Sequence, residues 1–151
     1  MQEQFFFRSE MFRVDLGEDE ESNPFCYGRQ LGRWLQARFA ERGYAPEEVF
    51  AEDWGWCVML NRENGRLWLA CGNNRAAFYD KVTQEQKASF IPEPGSITWT
   101  AFVGTDPPMW SLRLGKRRKA IKRLSRAAEQ ASAVLENILR SENGIVLVSE
   151  P

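Results

Sequence analysis

Three stretches of the chain have the apolar pattern of a β-strand. Residues 4–16 (QFFFRSEMFRVDL) are aromatic and β-branched with partial alternation, which predicts one strand or two short ones. Residues 96–104 (SITWTAFVG) alternate more regularly and predict another strand, which ends before Asp106-Pro107-Pro108. The run IVLVS near the C-terminus predicts a final strand.

Two longer stretches repeat their apolar residues at helical spacing. The first lies between Asn23-Pro24, a favourable start, and Gly43, a favourable residue just after a helix end. Its apolar positions follow the helical period: Tyr27, Leu31, Trp34, Leu35 and Phe39. Gly28 and Gly32 predict a close approach of this helix to a sheet. The second stretch predicts a helix over residues 116–141.

The clearest hairpin signal is Glu63-Asn64-Gly65-Arg66, between residues 55–61 and 66–72. Asn-Gly at the two central positions predicts a type I′ turn. This turn would pair Leu60 with Leu69 and Val58 with Cys71 and would direct these residues and Trp56 to the core. Cys57 and Cys71 would then lie on opposite faces, which argues against a disulfide between them.

These elements predict an α+β fold in the order β-α-β-β-β-α-β, with a mixed or antiparallel sheet of about five to six strands packed by two helices. Residues 73–95 predict a loop with a short element around 76–82. The length of 151 residues indicates a single domain over 1–151. Without a membrane-length apolar run or the features of a signal peptide, we expect a cytoplasmic protein that does not enter membranes.

The chain contains no histidine, which excludes serine–histidine, cysteine–histidine and histidine-ligated zinc chemistry. The three cysteines, Cys26, Cys57 and Cys71, are odd in number and lack the close spacing of a metal site. We therefore expect no metal, no cofactor and no catalytic residues. Enzymes without histidine use carboxylates, Lys or Tyr, so chemistry of that kind stays open.

Charge is distributed unevenly along the chain. Residues 1–60 hold 12 acidic and 6 basic residues, whereas residues 61–151 hold 9 acidic and 14 basic ones. The basic excess includes eight Lys and Arg residues between 113 and 126 with no acid among them. Such a run is typical of a solvated helix, of a phosphate-binding surface, or of an internal partner for the acidic turn 18–21.

The segment Glu52-Asp53-Trp54-Gly55-Trp56 admits three interpretations. It is a strand entry with Trp56 in the core, a general acid in an aromatic pocket, or a recognition surface with acids beside an exposed tryptophan. The first and third are compatible if Trp56 lies inside and Trp54 outside. We predict partner contacts from the acids and aromatic residues of these stretches: Glu18, Asp19, Glu20, Glu21, Glu52, Asp53, Trp54, Trp68 and Trp110.

The motifs Asn23-Pro24, Tyr27-Gly28-Arg29, Trp34-Leu35 and Glu52 to Trp56, with Cys-Gly-Asn at 71–73, resemble a group of small bacterial proteins over roughly residues 4–104. That group resembles the immunity proteins of polymorphic toxin systems. The resemblance implies a non-enzymatic protein that neutralises a toxin by occluding its active or substrate-binding site, with carboxylates and aromatics against a basic surface.

Two alternatives remain open. The first is a nucleic-acid-associated protein that uses the basic helix 113–126. The second, less favoured, is a carboxylate-dependent hydrolase, for which Glu52 or Asp53 would need a second carboxylate nearby.

Overall fold

The computed structural model describes residues 2–109 and 114–151 and shows an α+β fold. The strands form one antiparallel sheet of six in the order β2-β3-β4-β5-β1-β6. They are β1 Gln4–Arg8, β2 Phe50–Glu52, β3 Gly55–Asn61, β4 Arg66–Asn73, β5 Trp99–Asp106 and β6 Val146–Val148. The predicted fold class is confirmed.

Two long helices accompany the sheet, α1 at Arg29–Glu41 and α4 at Leu114–Ser141. Two short ones, α2 at Ala76–Tyr79 and α3 at Gln84–Lys87, lie in the long β4–β5 connection. The predicted element order lacked β2, α2 and α3, which are too short to show a period, although a short element was expected around 76–82, where α2 lies. Within the two described ranges, no helix combines the length and apolar character needed to cross a membrane.

The core lies between one face of the sheet and the two long helices. The strand register places Trp56, Cys71, Ala101 and Phe5 in one row across β3, β4, β5 and β1. The helices cover this face with fully or almost fully buried side chains: Leu31, Leu35 and Phe39 from α1, and Ala131, Leu135 and Ile138 from α4. The opposite face carries Trp68 and Phe102, which do not belong to this core.

The first helix begins at Arg29, so the predicted start at Asn23-Pro24 is wrong. The Asn23 amide donates a hydrogen bond to the carbonyl of Asp53 and does not cap the helix. Phe25 has a φ of 64°, outside the helical region, and its ring is buried against Phe78 and Phe90. Favourable capping residues are therefore used here to fasten a loop.

The predicted close approach of α1 to the sheet occurs at Gly28. A Cβ atom there would lie 2.9 Å from the carbonyl oxygen of Cys71 in β4. At Gly32 the neighbour is Val49, whose Cγ1 would lie 2.9 Å from a Cβ atom. The predicted helix end is also confirmed, because Gly43 follows α1 with a φ of 88°.

The β3–β4 hairpin forms as predicted, but its turn differs. Val58 pairs with Leu69 rather than Cys71, and a bulge between Met59 and Asn61 shifts the pairing near the turn. Among the described residues only Phe25 and glycines have a positive φ, so Asn64 does not adopt the conformation that a type I′ turn requires. The predicted pairing was displaced by two residues, which keeps every side chain on its predicted face.

Candidate functional site

The Glu52 to Gly55 segment forms the tip of the hairpin between β2 and β3. Glu52 pairs with Gly55, so Asp53 and Trp54 are the two turn residues. Two contacts from the preceding loop anchor this turn. The Asn23 amide and the Cys26 thiol both donate to the carbonyl oxygen of Asp53. This leaves the side chains of Glu52, Asp53 and Trp54 exposed to solvent.

The two tryptophans of the motif have different environments. Trp56 is 3% exposed and belongs to the core, with the Arg29 guanidinium 4.6 Å from its ring centroid. Trp54 is 43% exposed. With Trp56 in the core and Trp54 exposed, the strand-entry and recognition-surface interpretations of this segment are compatible.

Trp54, Trp68 and Phe102 form a cluster of aromatic rings, here called the aromatic patch. The centroid distances are 5.6 Å for Trp54–Trp68, 6.3 Å for Trp54–Phe102 and 6.0 Å for Trp68–Phe102. The Trp68 indole N–H donates to Asp106 Oδ2 at 3.2 Å. Its ring lies across Gly104, where a Cβ atom would come within 2.2 Å of it. Trp68 is therefore held by β5 and supports the other two rings of the patch.

A groove of about 750 Å³ extends from the aromatic patch to α4. Its α4 wall is formed by Arg117, Ile121, Leu124, Ser125 and Ala128, and the end of β5 and Gln2 complete the lining. Ile121 is 38% exposed. The groove thus combines aromatic and aliphatic side chains, and Arg117 is the one charged residue among the described residues that line it.

The acidic turn 18–21 is not part of the aromatic patch, and its carboxylates contact the start of α1. Glu18 is 1% exposed, and its Oε2 accepts hydrogen bonds from the backbone N–H groups of Gly28 at 2.8 Å and Arg29 at 3.4 Å. Asp19 accepts from the Phe25 N–H, and Glu21 pairs with Arg29. Glu18 is therefore not available to a partner, and of these four acids only Glu20 and Glu21 are exposed.

Burial raises the pKa of Glu18, although hydrogen bonds from Gly28, Arg29 and Asp15 oppose the shift. The pKa of Glu18 is higher in the folded state than in the unfolded state. Ionisation of this carboxyl therefore destabilises the fold as pH rises from the unfolded-state pKa to the folded-state pKa. We expect the free energy of unfolding of the wild-type protein minus that of Glu18→Gln to decrease as pH rises above 4.5, the ordinary value of a glutamate carboxyl. Urea unfolding of both proteins at a series of increasing pH values tests it, and a difference that grows with pH would contradict it.

The basic run on α4 does not meet the acidic turn. No ion pair between described residues joins 18–21 to 116–126, and the ion pair from this turn goes to Arg29. Among the described residues, the predicted internal partnership is therefore not formed. Arg113 and Trp110 lie outside the described residues, so the predicted contact of Trp110 stays a prediction.

All three cysteines are free thiols and are buried. The predicted absence of a Cys57–Cys71 disulfide agrees with this. Burial raises the pKa of Cys57 to about 12 and raises that of Cys71 further. Because the thiolate is the nucleophilic form, these two thiols are poorly suited to covalent chemistry at neutral pH.

The structure adds three residues to the predicted site: Phe102, Arg117 and Ile121. Phe102 had a sequence signal, since it alternates with Trp99, Ala101 and Val103 and so lies on the opposite face of β5. Arg117 and Ile121 had no sequence signal that placed them near Trp54, because only the packing of α4 against the end of β5 brings them there.

The chain matches no protein-family model, no curated protein and no solved structure. The aromatic patch and its neighbours are the features of the molecule that point to a function.

Proposed function

We propose that this protein is a non-enzymatic binding protein whose partner is another protein with a basic surface. The observation that carries the proposal is the exposure of Trp54, which packs against Trp68 and Phe102 beside the exposed carboxylates of Glu52 and Asp53. The aromatic patch with these two carboxylates is called the EDW surface below.

The EDW surface has the composition of an interaction hot spot. Tryptophan is enriched at such sites because a large rigid ring buries much area with little loss of conformational freedom. Trp54 already packs against its aromatic neighbours and belongs to a two-residue turn, so binding would cost little further conformational entropy. The neighbouring carboxylates favour a cationic partner and disfavour an acidic one.

Occlusion fits this geometry better than catalysis does. Glu52 and Asp53 project from the tip of a hairpin into solvent, whereas a carboxyl group that acts as a general acid is usually enclosed by apolar walls. A projecting hairpin with an aromatic anchor can instead enter a cleft of its partner. The resemblance to immunity proteins supports a specific form of the proposal, in which that partner is a toxin and the cleft is its active or substrate-binding site.

The proposal is tested by affinity capture from a cell lysate, with the wild-type chain and two double variants as bait. Each double variant removes one acidic and one aromatic side chain. Asp53→Ala/Trp54→Ala removes an acid and an exposed aromatic from the EDW surface. Tyr79→Ala/Asp80→Ala removes the same pair of groups from a different exposed site in and after α2. We expect the first variant to lower affinity for the captured protein by about 100-fold or more and the second to leave it within a few-fold of wild type.

Thermal unfolding of both variants serves as the control for folding. Equal capture by the wild-type and Asp53→Ala/Trp54→Ala proteins would rule out the EDW surface as the interface. For the immunity form of the proposal, the captured protein is expressed alone and then with this chain. Growth inhibition that co-expression relieves supports it, and a captured protein that is harmless when expressed alone rules it out.

A further inference from the structure

A second surface, of opposite charge, lies on the N-terminal half of α4. Seven Lys and Arg residues occupy its first turns without an intervening acid: Lys116, Arg117, Arg118, Lys119, Lys122, Arg123 and Arg126. All of them except Arg117 are exposed. No ion pair between residues of the described ranges involves any of the seven. These charges are therefore left to solvent, whereas Arg29, Arg62 and Arg66 elsewhere in the chain are paired with acids.

The packing of α4 gives this surface a regular shape. Ala120, Leu124 and Ala131 are buried and set the side of the helix that faces the protein. Arg118, Lys122 and Arg126 are spaced by four residues and form an exposed ridge, with neighbours about 6 Å apart along the helix axis. The basic surface from 116 to 126 extends for about 15 Å.

The charge pattern is unfavourable for the isolated helix. Positive charges near a helix N-terminus oppose the helix dipole, and like charges four residues apart repel each other. Nothing in the described contacts of these side chains offsets those terms. A bound polyanion would relieve both, which makes the surface better suited to a complex than to the free protein.

We propose that this basic face of α4 binds the phosphodiester backbone of a nucleic acid. Four of the seven cations are arginines, whose planar guanidinium groups bind phosphate with two parallel hydrogen bonds. A ridge of evenly spaced cations suits a ligand with evenly spaced anions. Contacts of this kind carry no sequence information, so the binding is expected to be independent of base sequence.

Two other polyanionic partners fit the surface less well. A membrane-surface helix needs a free apolar face for insertion. In this part of α4, Ala120 and Leu124 are buried in the protein, and among the described residues Ile121 is the one exposed large apolar side chain. An acidic protein would need buried aromatic or aliphatic anchors at the interface. The exposed ridge of Arg118, Lys122 and Arg126 offers none. Phosphate contacts need no such anchor, since release of counterions drives them.

The inference is tested by fluorescence anisotropy with a 5′-labelled 25-nucleotide single strand and with the corresponding duplex. The test variant is Arg118→Gln/Lys122→Gln/Arg126→Gln. The control, Arg8→Gln/Arg33→Gln/Lys81→Gln, removes three exposed positive charges from other parts of the surface. We expect the test variant to bind about 30-fold more weakly than wild type at low salt and the control to differ from wild type by a few-fold at most.

The salt dependence gives a second readout. If about four phosphates are neutralised, log K should fall with log salt with a slope of about −3 on the single strand, and the test variant should reduce this slope by about 2. Polyglutamate and vesicles of anionic phospholipid are the comparison ligands. Absence of oligonucleotide binding, equal losses in both variants, or binding of polyglutamate or vesicles as tight as that of the oligonucleotide would overturn the inference.

The basic surface adjoins the groove at Arg117, but the three residues changed in its test variant, Arg118, Lys122 and Arg126, do not belong to the EDW surface. We expect Asp53→Ala/Trp54→Ala to bind oligonucleotide as wild type does, and the test variant with three glutamines to capture the same protein as wild type. Circular dichroism and thermal unfolding of each variant serve as the controls that test whether the fold is retained. Failure of one surface in its assay would therefore leave the other proposal standing.

Discussion

Gly28→Ala is expected to lower the free energy of unfolding by about 3 kcal/mol or more. Gly28 has a φ of 145°, which side chains rarely adopt, and a Cβ atom there would lie 2.9 Å from the Cys71 carbonyl oxygen and 3.1 Å from the Cys71 carbonyl carbon. Both contacts are to strand backbone, which cannot move without disturbing β4. Relief of the clash would also displace the Gly28 N–H from Glu18.

Gly43→Ala is the control that separates strain from the clash. Gly43 has a φ of 88°, but a Cβ atom there would meet nothing within 4 Å. We expect this substitution to lower the free energy of unfolding by about 1 kcal/mol. Urea unfolding followed by circular dichroism measures both variants, and equal losses would show that α1 does not approach β4 as closely as the structure shows.

Trp99→Ala is expected to lower the free energy of unfolding by about 3–5 kcal/mol. The side chain is 0% exposed and packs edge-to-face with Phe12, with ring centroids 5.9 Å apart. Removing a buried ring of this size leaves a cavity that neighbouring side chains fill only in part. Chemical unfolding of the variant measures the loss.

Phe102→Ala, three residues further along β5, distinguishes the two faces of the sheet. Phe102 is half-buried on the face opposite the core and contacts Trp54 and Trp68. We expect a loss of about 1 kcal/mol, smaller than at Trp99, since the ring is only partly buried and lies outside the main core. A loss at Phe102 as large as that at Trp99 would contradict the assignment of the core to one face.

The sequence predicted the parts of the fold that depend on regular repetition. The period of Leu31, Leu35 and Phe39 and the alternation of Trp99 and Ala101 correspond to buried faces of α1 and β5. Local signals were less reliable. Asn23-Pro24 has good capping chemistry, but long-range contacts of Asn23 with Asp53 and of Phe25 with Phe78 and Phe90 recruit this segment into a loop.

The candidate site was predictable only in its local part. Trp56 in the core and Trp54 outside was one of the arrangements that the sequence allowed. Their spacing does not decide it, because residues two apart in a strand share a face. The difference arises because Trp54 belongs to the β2–β3 turn and Trp56 to β3. Glu18 was assigned to the surface because acids are usually exposed. Its burial depends on the return of Gly28 and Arg29 to the acidic turn, which no local pattern reveals. The contribution of Arg117 to the groove likewise depends on tertiary packing.

The most direct test of the central claim is hydroxyl-radical footprinting of the chain, free and saturated with the protein that it captures. Tryptophan oxidises readily in proportion to its exposure, and Trp54 is 43% exposed while Trp56 is 3% exposed. If the EDW surface is the interface, oxidation of Trp54 falls strongly in the complex, while Tyr79 is oxidised as in the free protein. Unchanged oxidation of Trp54 in a saturated complex would place the interface elsewhere and contradict the proposed function.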